Sequence, residues 1–337
     1  MNKTNSSIPD SEVWDRYWAD GRLAACSGDQ GQHYFPIIQT LWREFFSALF
    51  NQAAVLDLAT GNGAVLDLAR QRAEQLDIAV QLHGVDQARI GPGSLLARSK
   101  DSGINIEMHG ESRIEQLPFT ESSFDFVSSQ FGIEYSNLDL TVPEVARVIK
   151  PGGLLMLIVH RSDSGILSQT HRDLADYEFI EMEDDLILLF GELLDSEVQD
   201  GRLDQALKSS PPYLAAKERF DRAATRVAIR MQQRAAGTVS FLNGLMLSMG
   251  EIYQHRHQHP LATVLDRYQE LQNEIQAHVR RLQQMQAAAL DNPGLDSLRK
   301  RLTDNRFDLQ VDEQVVDDNG HQLGHRLLVR RSDQGNP

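Results

Sequence analysis

The stretch Ala53-Ala54-Val55-Leu56-Asp57-Leu58-Ala59, then Thr60-Gly61-Asn62-Gly63, then AVLDLARQRAEQL over 64–76, decides the fold. A short apolar run ends at a turn with two glycines, and the segment after it repeats apolar residues at helical spacing, so the reading is strand, tight turn and helix. Gly61 and Gly63 let the backbone turn sharply and bring main-chain N–H groups at a helix start up to a ligand. Three residues beyond Gly63 stands Leu66, where the dinucleotide-binding fingerprint needs Gly or Ala, so the turn departs from that pattern.

Working outward, the alternation recurs in VQLHGVD (80–86), INIEMHG (104–110), FDFVSSQ (124–130) and GLLMLIV (153–159). Each is separated from the last by enough chain for a crossover helix, which predicts a parallel sheet covered on both faces. FDLQVDEQVV (307–316) and HRLLVRR (325–331) flank Asp318-Asn319-Gly320, a hairpin turn signal, and supply strands six and seven. Before the first strand, Val13, Trp14, Tyr17 and Trp18, then Ile37, Ile38, Leu41, Trp42, Phe45, Phe46 and Leu49, predict two amphipathic helices. The expected fold is α/β: a doubly wound, seven-stranded Rossmann-like sheet with N-terminal helices.

Strand signals stop between Arg161 and Lys300, and about 140 residues of helical periodicity replace an ordinary crossover. The expected organisation is a tail over 1–12, a core over 13–160, a helical insertion over 161–300, the terminal hairpin over 301–331 and a tail over 332–337. Within the insertion, Leu261, Val264, Tyr268, Leu271, Ile275, His278, Leu282, Met285 and Ala289 alternate at spacings of three and four, a coiled-coil-like seam. Hairpin packing within the insertion and a homodimer interface would each satisfy it, and His278 reads as a polar residue that fixes register. From Asp173 to Asp200 there are eleven acids and no Lys or Arg. That run reads as a solvated helix face, or more sharply as an electronegative entrance favouring neutral or cationic molecules.

The 337 residues are 41% hydrophobic and 24% charged, as in ordinary globular proteins. At a net charge of −15, a non-specific grip on phosphates would work against repulsion, so no nucleic-acid partner is expected. The single cysteine, Cys26, permits no intramolecular disulfide and no Cys-based zinc cluster. No metal ligand set is read, and a reducing, cytoplasmic location is expected. Met1–Asp10 is polar with no apolar run behind a basic segment, and no stretch of about 18 apolar residues occurs, so neither a leader nor a membrane span is expected.

The glycine turn alone is a weak signal, but its company is specific. His83-Gly84-Val85-Asp86 ends the second strand on an acid, where a carboxylate can accept hydrogen bonds from both hydroxyls of a ribose. Leu117-Pro118-Phe119 leads through Ser123-Phe124-Asp125 into strand four, and Lys150-Pro151-Gly152-Gly153 precedes strand five. In these ordered elements the chain resembles the class I S-adenosylmethionine-dependent methyltransferases, over roughly Trp14 to His160 plus the terminal hairpin. The resemblance implies S-adenosyl-L-methionine as cofactor, with Asp57, Ala59, Gly61, Asn62 and Gly63 on its methionine side. It further implies Asp86 at the ribose, Gln87 beside the adenine, and Gln130 near the cofactor. The acid that the family often places five residues before the Pro of LPF is Arg113 here, with Glu111 nearby. That departure leaves backbone contacts from Ser112, Arg113 and Ile114. Ala59 also stands where the family commonly has glycine.

The activated methyl group needs little from the protein beyond alignment, exclusion of water and sometimes removal of a proton. Such groups are expected at the C-terminal ends of strands four and five, which carry Ser129, Gln130, Phe131, Gly132, Glu134 and Tyr135, then His160, Arg161 and Asp163. His160 is the leading general-base candidate because imidazole titrates near neutral pH; the alternative is a histidine bonded to the first turn of the insertion. Glu134 and Tyr135 either line the acceptor pocket or cap the following helix. Tyr17, Trp18 and Arg22 either close over the cofactor or pack in the core. Ser210-Pro211-Pro212-Tyr213 resembles a nucleobase methyltransferase motif at the wrong place in the fold and reads as a helix start. His255, His257 and His259 read as a solvated loop before Pro260. The expected reaction is methyl transfer to a small molecule bound between the core and the insertion, with RNA, protein, or a catalytically silent cofactor-binding scaffold as alternatives.

Overall fold

Ala53–Leu58 is apolar at five of its six positions and buried along its whole length, as a strand covered on both faces must be. The computed structural model describes residues 12–25, 34–91, 93–98, 104–182, 185–233 and 241–333; Cys26 and nearly all of both expected tails lie outside the described residues. In chain order the elements are α1 (Glu12–Ala19), α2 (Pro36–Phe46), β1 (Ala53–Leu58), α3 (Ala64–Leu76), β2 (Val80–Val85), α4 (Leu95–Arg98), β3 (Asn105–His109), β4 (Phe124–Gln130), α5 (Leu138–Val148) and β5 (Ile149–Val159). Then follow α6 (Gly165–Met182), α7 (Leu186–Asp195), α8 (Pro211–Gln232), α9 (Phe241–His255), α10 (Leu261–Ala288), α11 (Asn292–Asp304), β6 (Phe307–Val316) and β7 (Gln322–Arg331). A two-residue ribbon, Val198–Gln199 with Arg202–Leu203, lies between α7 and α8.

The seven strands form one sheet in the order β3-β2-β1-β4-β5-β7-β6, parallel through β5 and antiparallel where β7 joins β5. The order reverses between β1 and β4, whose register sets Asp57 beside Ser128. Ligands of open α/β sheets bind at the carboxyl ends of strands at such a reversal. One face of the sheet packs on α2 and α3 through Trp42, Phe46, Leu66 and Ala69. The other packs on α5 and α11 through Val142, Val145, Leu298 and Leu302.

Contacts divide the chain into two compact units, Pro9–Ser168 with Gln284–Pro337, and Gln169–Gln283. The sequence pattern puts the ends of the insertion at 161 and 300, because periodicity identifies helices without revealing what they pack on. Here α11 and the last turn of α10 belong to the unit that carries the sheet. Their place is secured by the pairing of chain entering and leaving the insertion: Leu290 N–H donates to the His160 carbonyl (2.9 Å) and Ser162 N–H to the Leu290 carbonyl (3.1 Å). Buried Arg161 closes this junction through Asn292 Oδ1 at 2.6 Å.

Within the second unit, the α10 seam is filled by the same chain. Val264, Tyr268, Leu271 and Ile275 share a core with α7, α8 and α9, and Tyr268 donates to the Ile187 carbonyl at 2.9 Å. His278 stacks on Phe241 with ring centroids 5.7 Å apart. Ser210 caps α8, with Pro211 and Pro212 in the first turn, so this segment is a helix start.

Two sequence expectations are corrected here. The His255–His259 segment is not a solvated loop: Arg256–Gln258 forms a 3-10 turn, Arg256 is buried against the carboxylate of Glu197 at 2.8 Å, and His257 Nε2 lies 2.9 Å from the same group. The acidic run is likewise not a uniformly solvated face. Asp176 and Glu197 are fully buried, and Arg230 and Arg256 from outside the run neutralise them. Glu183 and Asp184 of that run lie outside the described residues. Because removing one partner of a buried pair leaves an uncompensated charge, Glu197→Ala should lower the stability of this unit by about 3–5 kcal/mol. Denaturant melts of the variant against the parent measure the loss.

Candidate functional site

The turn after β1 is built from left-handed backbone at Ala59 (φ 53°), Gly61 (φ 55°) and Gly63 (φ 91°). Glycine adopts this conformation without penalty, whereas Ala59 is held there at an expense of about 1–2 kcal/mol, so the departure from the family glycine is one of stability and not of shape. Gly61 is needed twice over. A methyl group at its Cα would lie 2.4 Å from the ring of Trp18, which packs directly on the turn. Asn62 binds the end of α1 and the chain just after it, donating to the carbonyls of Trp18 (2.9 Å) and Arg22 (2.7 Å).

Asp86 ends β2 beside that turn. Its two carboxylate oxygens accept from the backbone N–H groups of Gly61 (2.7 Å) and Ala88 (2.8 Å), and it is buried. Burial raises its pKa, and the two N–H groups oppose that rise. Each oxygen can accept a further hydrogen bond, which is the capacity that a pair of vicinal hydroxyls requires.

These elements enclose a cavity of about 480 Å³, within the range of small-molecule sites. Its walls come from the carboxyl ends of β1, β2, β4 and β5, from Trp14 and Trp18 of α1, and from Gln284, Ala287 and Ala288 at the end of α10. Trp14 Nε1 donates to Gln284 Oε1 at 2.8 Å and joins the last two of these walls. Among the described residues the lining includes the carboxylates Asp86, Glu115 and Glu134 and no Lys or Arg.

Three side chains set the polarity at the β4–β5 side. Gln130 receives the indole N–H of Trp42 on Oε1, and its buried Nε2 has no hydrogen-bond partner among the described residues. Glu134, in a 3-10 turn after β4, accepts the backbone N–H of His160 on Oε1 (2.8 Å), while its buried Oε2 has no hydrogen-bond partner among the described residues. Burial pushes the Glu134 carboxyl up to about 7, with backbone N–H groups of His160, Glu134 and Gly132 opposing it. His160 stacks face to face on Phe131, centroids 4.1 Å apart, and Phe131 is itself held in left-handed backbone (φ 52°). Full burial pushes the His160 imidazole down to about 3, so it is neutral at pH 7 and a weak base.

The family described as "Methyltransferase domain" matches residues 55–153, the span from the middle of β1 to the turn before the buried part of β5. Over that span, less than a third of its length, the chain carries a methyltransferase domain, and the cofactor that goes with the match is S-adenosylmethionine. The chain is similar to the ubiquinone/menaquinone biosynthesis C-methyltransferase UbiE of Blochmanniella floridana, 29% identical over 127 residues, 36% of this chain and 48% of that protein. It is also similar to the protein of that name from Pseudomonas paraeruginosa, 27% identical over 181 residues, 52% of this chain and 66% of that one. It thus spans about half the length of the first of these relatives. A solved structure, geranyl diphosphate C-methyltransferase from Streptomyces coelicolor A3(2), aligns over 96% of this chain and 99% of its own at 12% identity and TM-score 0.44.

Of the positions the methyltransferase resemblance implies, Ala59, Asp86, Gln87, Ser112, Ile114 and Gln130 line the cavity, as do Glu134, Tyr135, His160 and Trp18. Asp57 does not. It turns into the sheet, where Ser128 Oγ donates to it at 2.7 Å, and burial raises its carboxyl to about 7 against that bond. Gly61, Asn62 and Gly63 shape the turn without lining the cavity: Gly61 lies under Trp18, and a Cβ on Gly63 would meet Leu95 at 2.6 Å. Arg113 is mostly exposed and pairs with Glu115, while Arg22 stacks on Tyr17 outside the lining. Ser129 holds the 3-10 turn by accepting the Ile133 N–H at 3.1 Å. Sequence reasoning missed Trp14, Tyr34, Glu115 and the α10 terminus. Trp14 had a signal, since it precedes Trp18 by one helical turn; Gln284, Ala287 and Ala288 had none.

Raised carboxyl pKa values have a definite sign in stability. Protonated Glu134 favours the fold, so that contribution is complete below its ordinary value of 4.5 and is lost as pH rises through about 7. Glu134→Gln should therefore match the parent near pH 4 and exceed it near pH 8 by on the order of 3 kcal/mol, at about 1.4 kcal/mol per pKa unit. Denaturant unfolding across that pH range tests this.

Proposed function

We propose that this chain transfers the methyl group of S-adenosylmethionine to a neutral or cationic small molecule within the cavity, and that Glu134 is the group that accepts a proton from the acceptor. The observation that carries the reading is a buried carboxyl with one unpartnered oxygen, raised to about 7, in the same cavity as the clamped carboxylate of Asp86. A general base works best when its pKa lies near the operating pH, which favours Glu134 over the strongly depressed His160.

In this reading Asp86 holds the ribose hydroxyls and the backbone at Ser112 and Ile114 borders the adenine. Gln130 Nε2 supplies the free donor for the carboxylate of the methionine moiety. The bound cofactor supplies a methyl group already activated by its sulfonium. Trp14, Trp18 and Phe131 exclude water, and His160 orients Glu134 through its backbone N–H while its neutral ring forms a flat wall against Phe131. With no Lys or Arg among the described lining residues, none of them compensates a phosphate, which favours uncharged or cationic acceptors over nucleic acid. Similarity to proteins named as C-methyltransferases of ubiquinone and menaquinone biosynthesis supports a small-molecule acceptor and leaves its structure open.

Calorimetry should register S-adenosylmethionine binding to the parent protein and its loss in Asp86→Ala. Methyl transfer from labelled cofactor to a panel of small acceptors should rise with pH through about 7 and then level. Glu134→Gln should lower kcat by roughly 10²–10⁴ and abolish the rise while cofactor affinity persists. Absence of cofactor binding by the parent protein, or an unchanged pH profile in Glu134→Gln, would defeat the assignment.

A further inference from the structure

At the open edge of the sheet, away from the cavity lining, β2 and β3 bring two imidazoles and a carboxylate onto one face. The parallel register sets His83 opposite Glu107 and Val85 opposite His109, so the side chains of Glu107 and His109, two residues apart on β3, project to the side of His83. His83 Nδ1 lies 3.5 Å and His109 Nε2 3.9 Å from Glu107 Oε2, and all three candidate donor atoms fall within 4.8 Å of one another.

Neither nitrogen makes a hydrogen bond among the described residues, although both atoms are buried. Leaving two such nitrogens unsatisfied is expensive, and a shared positive ligand would remove the expense. The rings are also held in place. They lie nearly parallel, with centroids 6.2 Å apart, and Phe119 packs edge-on against each while Phe124 packs against His83. Burial keeps His83 below its ordinary value, so its lone pair is available at neutral pH.

We propose that His83, Glu107 and His109 form a binding site for a divalent transition-metal ion of the zinc type. Two imidazole nitrogens and one carboxylate oxygen suit zinc, cobalt or nickel and disfavour magnesium and calcium, which take oxygen donors. At metal–ligand distances of about 2.0–2.1 Å, a tetrahedral site separates its donors by about 3.3 Å, so the closest pair already has nearly that separation. Closing the remainder needs only side-chain rotation by Glu107 and His109, the two more exposed members. Three protein ligands leave a coordination position open to water. The His109 carbonyl accepts the N–H of Asp86 at 3.0 Å, so the ion would tie together the two strands next to that carboxylate.

The test uses the full-length, tag-free protein. Zn2+ is titrated at pH 7.5 in competition with a chromophoric indicator, and Co2+ is added separately to read visible d–d bands. One Zn2+ per chain is expected to bind, with affinity falling at least about tenfold in each of His109→Gln and Glu107→Gln, and the cobalt bands should vanish in both. Glu107 is half exposed, so its amide variant keeps the fold even if a histidine variant does not. Stoichiometric binding that both variants retain would put the metal elsewhere and overturn the proposal, as would no binding above that of free histidine.

Discussion

The structure turns on one carboxylate held by two backbone amides. Asp86 ties the glycine turn after β1 to the loop after β2 by accepting from Gly61 and Ala88. Those bonds fix the geometry of two separate connections at the point where the sheet reverses its strand order. The same bonds help keep a buried acid ionised, which an apolar crevice would otherwise oppose. Trp18 can pack against the turn because Gly61 has no side chain, and Asn62 holds the helix that delivers Trp18. Removing any of these parts loosens the others, since they share the same few atoms.

Burial acts in opposite senses on the two titratable groups at the β4–β5 edge. It raises a carboxyl and lowers an imidazole, because in each case it penalises the charged form. Glu134 is thereby moved into the range useful for proton transfer at neutral pH, and His160 is moved out of it. Residue type alone puts His160 nearer neutrality than Glu134; the environment reverses that order. The arrangement carries a stability penalty above neutral pH, a trade commonly found where function requires a buried polar group.

The helical insertion illustrates how charge in a sequence differs from charge in a fold. Eleven acids without a basic residue among them read as solvated, yet Asp176 and Glu197 are buried with Arg230 and Arg256 as partners. The partners lie beyond the acidic stretch, so no local window contains the pair. In the same way the α10 seam fits a hairpin and a dimer equally well in sequence, and its stretch from Val264 to Ile275 shares a core with α7, α8 and α9.

By itself the sequence determined the sheet, its strand count and the place of the glycine turn, because two-residue and 3.6-residue periodicities and backbone-permissive glycines are local properties. It also determined the cofactor class, through motifs whose order survives without coordinates, and pointed to the ends of β4 and β5, whose residues line the cavity. Only the tertiary structure decided that Asp57 faces Ser128 and away from the cavity, that the end of α10 is a wall of the site, and that Glu134 titrates near 7 while His160 does not. These depend on which distant segments meet, and on how much water is excluded where they do.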